Sequence, residues 1–273
     1  MPATHREKAE TFRALHRAQG TFVIPNPWDI GTARILTALG FKALATTSAG
    51  YAFTIGRKDG AITREDALAH ARAIVEATDL PVSADLENCF GDAPETVAET
   101  LRRAAATGLA GGSVEDASGD ARKPIYEFSH AVERVAAAVE AVRALPIPFT
   151  LTARAENFLH GRPDLDDTIR RLQAFERAGA DVLYAPGLKD MTAVRAVMSA
   201  VSKPVNVIAL RGLTVPELAA AGVRRISLGS ALSRVALGAF IRAAREIQSA
   251  GTFTFIESAL PSAEANAFML GRG

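Results

Sequence analysis

The stretch PVSADLENCFGDAPETVAETLRRAAATGLAGGSVEDA (81–117) decides the fold. It opens with a short apolar run ending in acids, PVSADLE (81–87). An amphipathic segment follows, PETVAETLRRAAATG (94–108), with Pro at its start and Gly at its end, the expected punctuation of a helix. A second apolar run ending in acids, AGGSVED (110–116), closes the unit. Continuous apolar character marks strands covered on both faces, so the unit reads as strand, helix, parallel strand. The same alternation runs outward in both directions. Further strands are expected at FVIP (22–25), ALATTS (43–48), FTLTARAE (149–156), DVLYAP (181–186), PVNVIAL (204–210) and RRISLG (224–229). Helical patterns separate them, for example TREDALAHARAIVEAT (63–78), where Thr63 reads as an N-cap and Asp66 as its capping-box partner. Eight such units predict a (β/α)8 barrel of the TIM type, with a helix before the first strand. A doubly wound sheet is the alternative. It would carry a Gly-rich phosphate loop after the first strand, where this chain has Asn26-Pro27-Trp28-Asp29.

Length and composition agree. The 273 residues match one barrel of about 250 residues, and no Pro/Gly/Ser-rich linker divides them. One domain over 1–273 is expected: an N-terminal helix (1–20), the barrel (22–251) and a C-terminal tail (252–273). A 48% hydrophobic content excludes a disordered chain. Lys plus Arg is 31 and Asp plus Glu is 30, which argues against nucleic acid or a membrane surface as partner. The single Cys89 excludes an internal disulfide framework and a multi-Cys zinc site. The polar N-terminus lacks the apolar core of a signal peptide, and no run approaches the roughly 20 apolar residues of a membrane span. A cytoplasmic location is expected.

In such a barrel the chemistry sits at the C-terminal ends of the strands. Asp85 and Glu87, two apart on a strand, share one face. Two carboxylates side by side repel and resist desolvation, and a hard cation relieves both costs. With Glu115 and Asp59 they make an all-oxygen set that suits Mg2+, or Mn2+, better than Zn2+. Asp85, Glu87 and Glu115 are therefore the expected metal ligands. Asp29 reads as a helix cap, and Asp116 as a cap or a partner for a Lys or Arg. Arg154, the lone cation on this rim, pairs with Glu156 or Glu115, or grips a substrate carboxylate or phosphonate. Thr47, Ser48 and Ala49 offer small side chains and backbone donors for an anionic group, with an ordinary tight turn as the plain reading. Asn206 joins them as an expected substrate-binding residue. Cys89 reads as a small buried hydrophobe. His5 and His16 lie in the N-terminal segment, His70 and His130 read as surface or packing residues, and His160 lies on a top-face loop.

The ordered set TTSAGYAFTIGRKDG (46–60), VSADLENCFGD (82–92), GGSVEDA (111–117), TARAENF (152–158) and ERAGADVLYAPG (176–187) resembles the isocitrate lyase/phosphoenolpyruvate mutase superfamily, over about Phe22 to Ser230. The resemblance implies Mg2+ and enolate chemistry on pyruvate-like 2-oxo acids. It implies substrate contacts from Thr47, Ser48 and Ala49, metal binding by Asp85, and catalytic parts for Asp59, Glu115 and the anion-binding Arg154. Glu87 stands where many members have an Asp. Isocitrate and methylisocitrate lyases carry a catalytic Cys after the fourth strand, whereas here that region reads EDASGDARKPIYEFSH (115–130), without Cys. Ala117 and Pro186 stand near positions that are Lys and His in the mutase. The implied activity is thus a Cys-independent carbon–carbon lyase. It would act on a small 2-oxo or 2-hydroxy di- or tricarboxylate by retro-aldol cleavage or decarboxylation. The alternatives are a phosphonopyruvate-type P–C hydrolase or phosphonomutase, and a reduced homologue that only binds a carboxylate. Tyr51, Tyr184 and His160 are candidate acids or bases. The resemblance also implies a homo-oligomer, dimer or tetramer, with the last barrel helix (within 230–251) exchanged between subunits.

Overall fold

A computed structural model describes residues 2–270. Eight strands form one parallel sheet: β1 (Phe22–Ile24), β2 (Leu44–Ala45), β3 (Val82–Ala84), β4 (Gly111–Glu115), β5 (Thr150–Arg154), β6 (Val182–Tyr184), β7 (Val205–Ile208) and β8 (Arg225–Ser227). Ladders run from β2 through β8 to β1, with registers such as Glu115 opposite Arg154 and Arg154 opposite Tyr184. β1 and β2 share no ladder, but Ala45 N–H donates to Pro25 O at 3.0 Å across the seam. Asn26 stitches the same region. Its Nδ2 donates to Thr46 O, and its Oδ1 accepts from the N–H groups of Leu228 and Gly229. The (β/α)8 barrel read from the sequence is the observed fold.

The N-terminal helix α1 (His5–Arg17) covers the barrel floor, capped by Thr4 and Glu7. Its Phe12 is fully buried against Phe22, Ile24 and Ala110. Burial of that ring stabilises by about 1.5–3 kcal/mol. Gly111 makes room for it: a Cβ there would lie 2.8 Å from Phe12 Cε1 and 2.5 Å from Thr150 O. The outer ring comprises α2 (Ile30–Ala38), α4 (Arg64–Ala77), α5 (Pro94–Ala105), α6 (Phe128–Arg143), α7 (Leu165–Ala178), α8 (Met191–Ala200), α9 (Val215–Ala220) and α10 (Ala231–Ala250). Thr63 caps α4 with Asp66, and Asp29 caps α2. Among the described residues no helix is long and apolar enough to cross a membrane.

Three features differ from the sequence reading. The strands are shorter, because the chain leaves the ladder where polar side chains converge. Asp85 N–H, for example, bonds the Thr46 hydroxyl, and Glu87 turns to φ +50°. Ser48–Thr54 is a helix, α3, because the Thr47 hydroxyl caps it by accepting from Gly50 N–H. The tail folds back as α11 (Ser262–Met269), where Arg34 Nη1 on α2 donates to Met269 O at 2.7 Å. Residues 271–273 of the expected tail lie outside the described residues.

Candidate active site

A cavity of about 1040 Å³ opens at the C-terminal end of the barrel, lined by Ser48, Asp59, Asp85, Glu87, Glu115 and Arg154 among others. A narrower well of about 180 Å³ continues below it towards Asn206 and Arg225. The expected carboxylates and the expected arginine thus meet in one place.

Arg154 is the hub. Its Nε donates to Glu156 Oε1 at 2.8 Å, its Nη1 to Asp85 Oδ1 at 2.8 Å, and its Nη2 reaches Glu115 Oε2 at 3.1 Å. Both readings of its ion pairs hold together, and Asp85 is added. Burial opposes the guanidinium charge, while Glu156, Glu115 and Asp85 hold the group firmly protonated. A guanidinium has five N–H donors, so three bonds leave two for another anion. The Tyr184 ring lies 5.3 Å from its central carbon.

Asp85 accepts from Ser48 twice, from N–H at 3.1 Å and from the hydroxyl at 2.8 Å. Ser48 therefore already serves Asp85. The N–H of Ala49, in the first turn of α3, has no acceptor within that helix.

The carboxylates outnumber the cations. Burial, then the charges of Asp85 and Asp59, push the Glu87 carboxyl up to about 7. Burial pushes Glu115 well above the ordinary range, against the pull of Arg154. Asp59 is raised by burial and by Asp85. Glu87 Oε1 is buried without a hydrogen-bond partner. This set of hard oxygen donors, one of them orphaned, fits a hard divalent cation. Among the described residues no three carboxylate, imidazole or thiol groups converge tightly enough to cage an ion. Mg2+ needs no such cage, since it keeps waters and takes one or two carboxylates plus substrate oxygens.

The loop that carries Glu87 is strained. Glu87, Cys89 and Phe90 have φ of +50°, +62° and +62°, a region L-residues rarely adopt. Arg134 of α6 holds it: the side chain is fully buried, and its Nη1 donates to Gly91 O at 2.5 Å and Asp92 O at 2.6 Å. Cys89 is buried, and burial pushes its thiol up to about 12.

Other expectations resolve as follows. Asp116 is buried and structural, accepting from Glu156 N–H at 2.8 Å and Arg171 Nη1 at 3.0 Å. Asn206 lies in the deeper well, and its amide is engaged by Arg225 and Ser227. Tyr184 is buried and its hydroxyl pushed up to about 12, which leaves it a hydrogen-bonding group. Tyr51 stacks on His70 at 4.1 Å, and His160 lines the mouth. After β4, Ala117 bridges Ile125 in a small antiparallel turn.

The family model for phosphoenolpyruvate phosphomutase matches residues 12–248. The chain belongs to this family, within the phosphoenolpyruvate mutase/isocitrate lyase superfamily. A solved structure from Burkholderia cenocepacia J2315, provisionally assigned as a lyase/mutase, is 60% identical, with TM-score 0.94 over 97% of this chain and 96% of that one. Oxaloacetate acetylhydrolase, solved with its product oxalate, superposes with TM-score 0.88 at 25% identity, covering 98% and 96% of the two chains. The 2,3-dimethylmalate lyase of Eubacterium barkeri is 30% identical over 184 residues, 64% of this chain and 62% of its own.

Proposed function

We propose that the protein is a Mg2+-dependent carbon–carbon lyase acting on a small 2-oxo or 2-hydroxy di- or tricarboxylate through a pyruvate-type enolate. The observation that carries this reading is the carboxylate-rich mouth around Arg154, with an orphaned Glu87 oxygen. Its relatives fit: one lyase acts on a substituted malate and one hydrolase on oxaloacetate.

Asp85 and Glu87 would hold the metal, with Glu115 and Asp59 supporting it through water. When bound, Mg2+ supplies Lewis-acid stabilisation of negative charge on a substrate oxygen. The two remaining N–H donors of Arg154 and the backbone at Thr47–Ala49 grip the carboxylate and 2-oxo end. Glu115 and Glu156 keep the guanidinium plane fixed, so its donors are aimed before charge develops. In the decarboxylation form the C3–C4 electron pair passes into the enolate, CO2 leaves, and C3 takes up a proton. In the retro-aldol form the substrate hydroxyl loses its proton and C2 becomes the carbonyl of a 2-oxo acid as C2–C3 breaks; the electron pair passes to C3, beside the leaving fragment's carboxylate, and C3 takes up a proton. His160, on the cavity wall, exchanges the proton with solvent in this reading. Cys89 plays no chemical part.

Release of pyruvate from oxaloacetate and from substituted malates, assayed with Mg2+ and with EDTA, tests the reading. Metal-dependent turnover is expected, and Asp85→Ala is expected to lower it at least 1000-fold (~4 kcal/mol). Saturable oxalate binding without turnover of any substrate would leave only the carboxylate-binding homologue. The family model's own name favours a second reading, P–C bond cleavage or transfer, and phosphonopyruvate in the same panel decides between them.

We also propose a homo-oligomer. The long α10 leaves Val235 and Phe240 exposed (67% and 71%), an apolar face that a second copy of the chain, with exchanged helices in a dimer or tetramer, would cover. A reduced, buried Cys89 suits the cytoplasm, the compartment we propose.

A further inference from the structure

Arg225, at the start of β8, is 5% exposed and lines the deeper well beneath the mouth. All its partners are neutral. Nε donates to Asn206 Oδ1 at 2.8 Å, Nη2 donates to Thr152 Oγ1 at 3.0 Å, and Nη1 faces His16 Nε2 at 3.3 Å. His16 Nδ1 lies 2.8 Å from Phe12 O, which accepts only if Nδ1 carries the proton. Nε2 is then the acceptor for Arg225. Among the described residues no carboxylate pairs with this guanidinium. A buried cation without a counter-charge costs several kcal/mol, and an apolar side chain of similar volume would avoid that cost.

The bonds continue upward. Asn206 Nδ2 donates to Ser227 Oγ at 2.9 Å, and Ser227 and Tyr184 line the same well. The Tyr184 ring lies against the Arg154 guanidinium. A second route runs through Thr152, two residues before Arg154 on the same face of β5. Both routes lead from the floor to the same group.

We infer that Arg225 is a positioning residue for Arg154, acting through the column Asn206–Ser227–Tyr184 and through Thr152. This rests on the reading of Arg154 as the substrate's anion grip. The amide of Asn206 is thereby a link in the column, its oxygen turned to Arg225 and its nitrogen to Ser227. The uncompensated cation also sets positive potential beneath a mouth crowded with carboxylates, where an anionic substrate must settle.

Oxalate, a planar mimic of the enolate, is the probe, titrated calorimetrically into the Mg2+-loaded full chain. Arg225→Met and Tyr184→Phe are each expected to weaken oxalate about tenfold. The double variant is expected to be no weaker than the worse single one, because both act along one path. A purely structural role predicts losses that multiply. Arg225→Lys keeps the charge and loses the fork to Asn206 and Thr152; it is expected to weaken oxalate severalfold and serves if Arg225→Met does not fold. Multiplying losses, or oxalate affinity unchanged in both Arg225 variants, would overturn the inference. If the unaltered protein binds no oxalate, the lyase reading fails, and a crystal structure of Arg225→Lys decides the rest. A Tyr184 ring displaced from Arg154 supports the column, and an unmoved ring sinks it.

Discussion

The two ends of this barrel face the same physical problem with opposite signs. At the mouth, Asp59, Asp85, Glu87, Glu115 and Glu156 surround one guanidinium, and burial pushes Glu87 up to about 7. At the floor, Arg225 and His16 are buried together, and burial with the neighbouring Arg225 charge pulls His16 down to about 3. The floor is finished with neutral partners and a tightly seated Phe12. The mouth is left unfinished, with an orphaned oxygen on Glu87. An unpartnered carboxylate oxygen is thus a mark of the end where a ligand is expected, and a charge met by neutral hydrogen-bond partners marks the end that holds the fold.

The comparison can be broken at its hub. Arg154→Met leaves Asp85, Glu115 and Glu156 without their shared partner, and removal of one side of a buried pair costs about 3–5 kcal/mol. We expect kcat/KM for the Mg2+-dependent reaction to fall at least 100-fold, and urea unfolding to report the lost stability. An unchanged kcat/KM would remove Arg154 from the site. At the floor, Gly111→Val should cost about 1–3 kcal/mol by overpacking against Phe12 and Thr150 O while oxalate affinity stays unchanged. Equal damage to both measurements would deny that the Phe12 packing is separable from the mouth.

Two smaller effects concern pH. His16 ordinarily titrates near 6.5 and here near 3. Between these values the unfolded chain takes up a proton that the folded chain refuses. Stability therefore falls as pH drops from 6.5 towards 3, by up to about 1.4 kcal/mol per unit. His16→Gln should flatten that slope in urea titrations at several pH values. Glu87 has the opposite sign: the folded chain keeps its proton between about 4.5 and about 7, so metal-free stability falls as pH rises through that window. Glu87→Gln should remove this fall, and Mg2+ should suppress it in the unaltered protein. A Tm that ignores both changes would show that Glu87 carries no buried charge.

The barrel was legible because its strands are apolar on both faces and its helices announce their ends, as Thr63 and Pro94 do. The acidic mouth was legible because a spacing of two puts Asp85 and Glu87 on one face. Helix α3 was missed, since TTSAGYAF reads equally as a strand end. The buried arginines were missed for a different reason: apart from the Asp167 carboxylate beside Arg171, their partners are distant in sequence. Arg134 lies within the apolar stripe of Ala131, Val135 and Ala138, and Arg171 beside Thr168, Leu172 and Phe175. A cation inside an apolar stripe was the available signal, and it marks side chains that brace a loop or a carboxylate from behind.

The seam between β1 and β2 has one further consequence. Everywhere else around the ring, neighbouring strands are zipped by a ladder, but here a single backbone bond and the Asn26 amide hold the edges together. The ring is therefore most compliant on one side. That side carries Thr46 and Thr47 into α3, so the segment proposed to face the substrate rides on the softest join of an otherwise stiff cylinder.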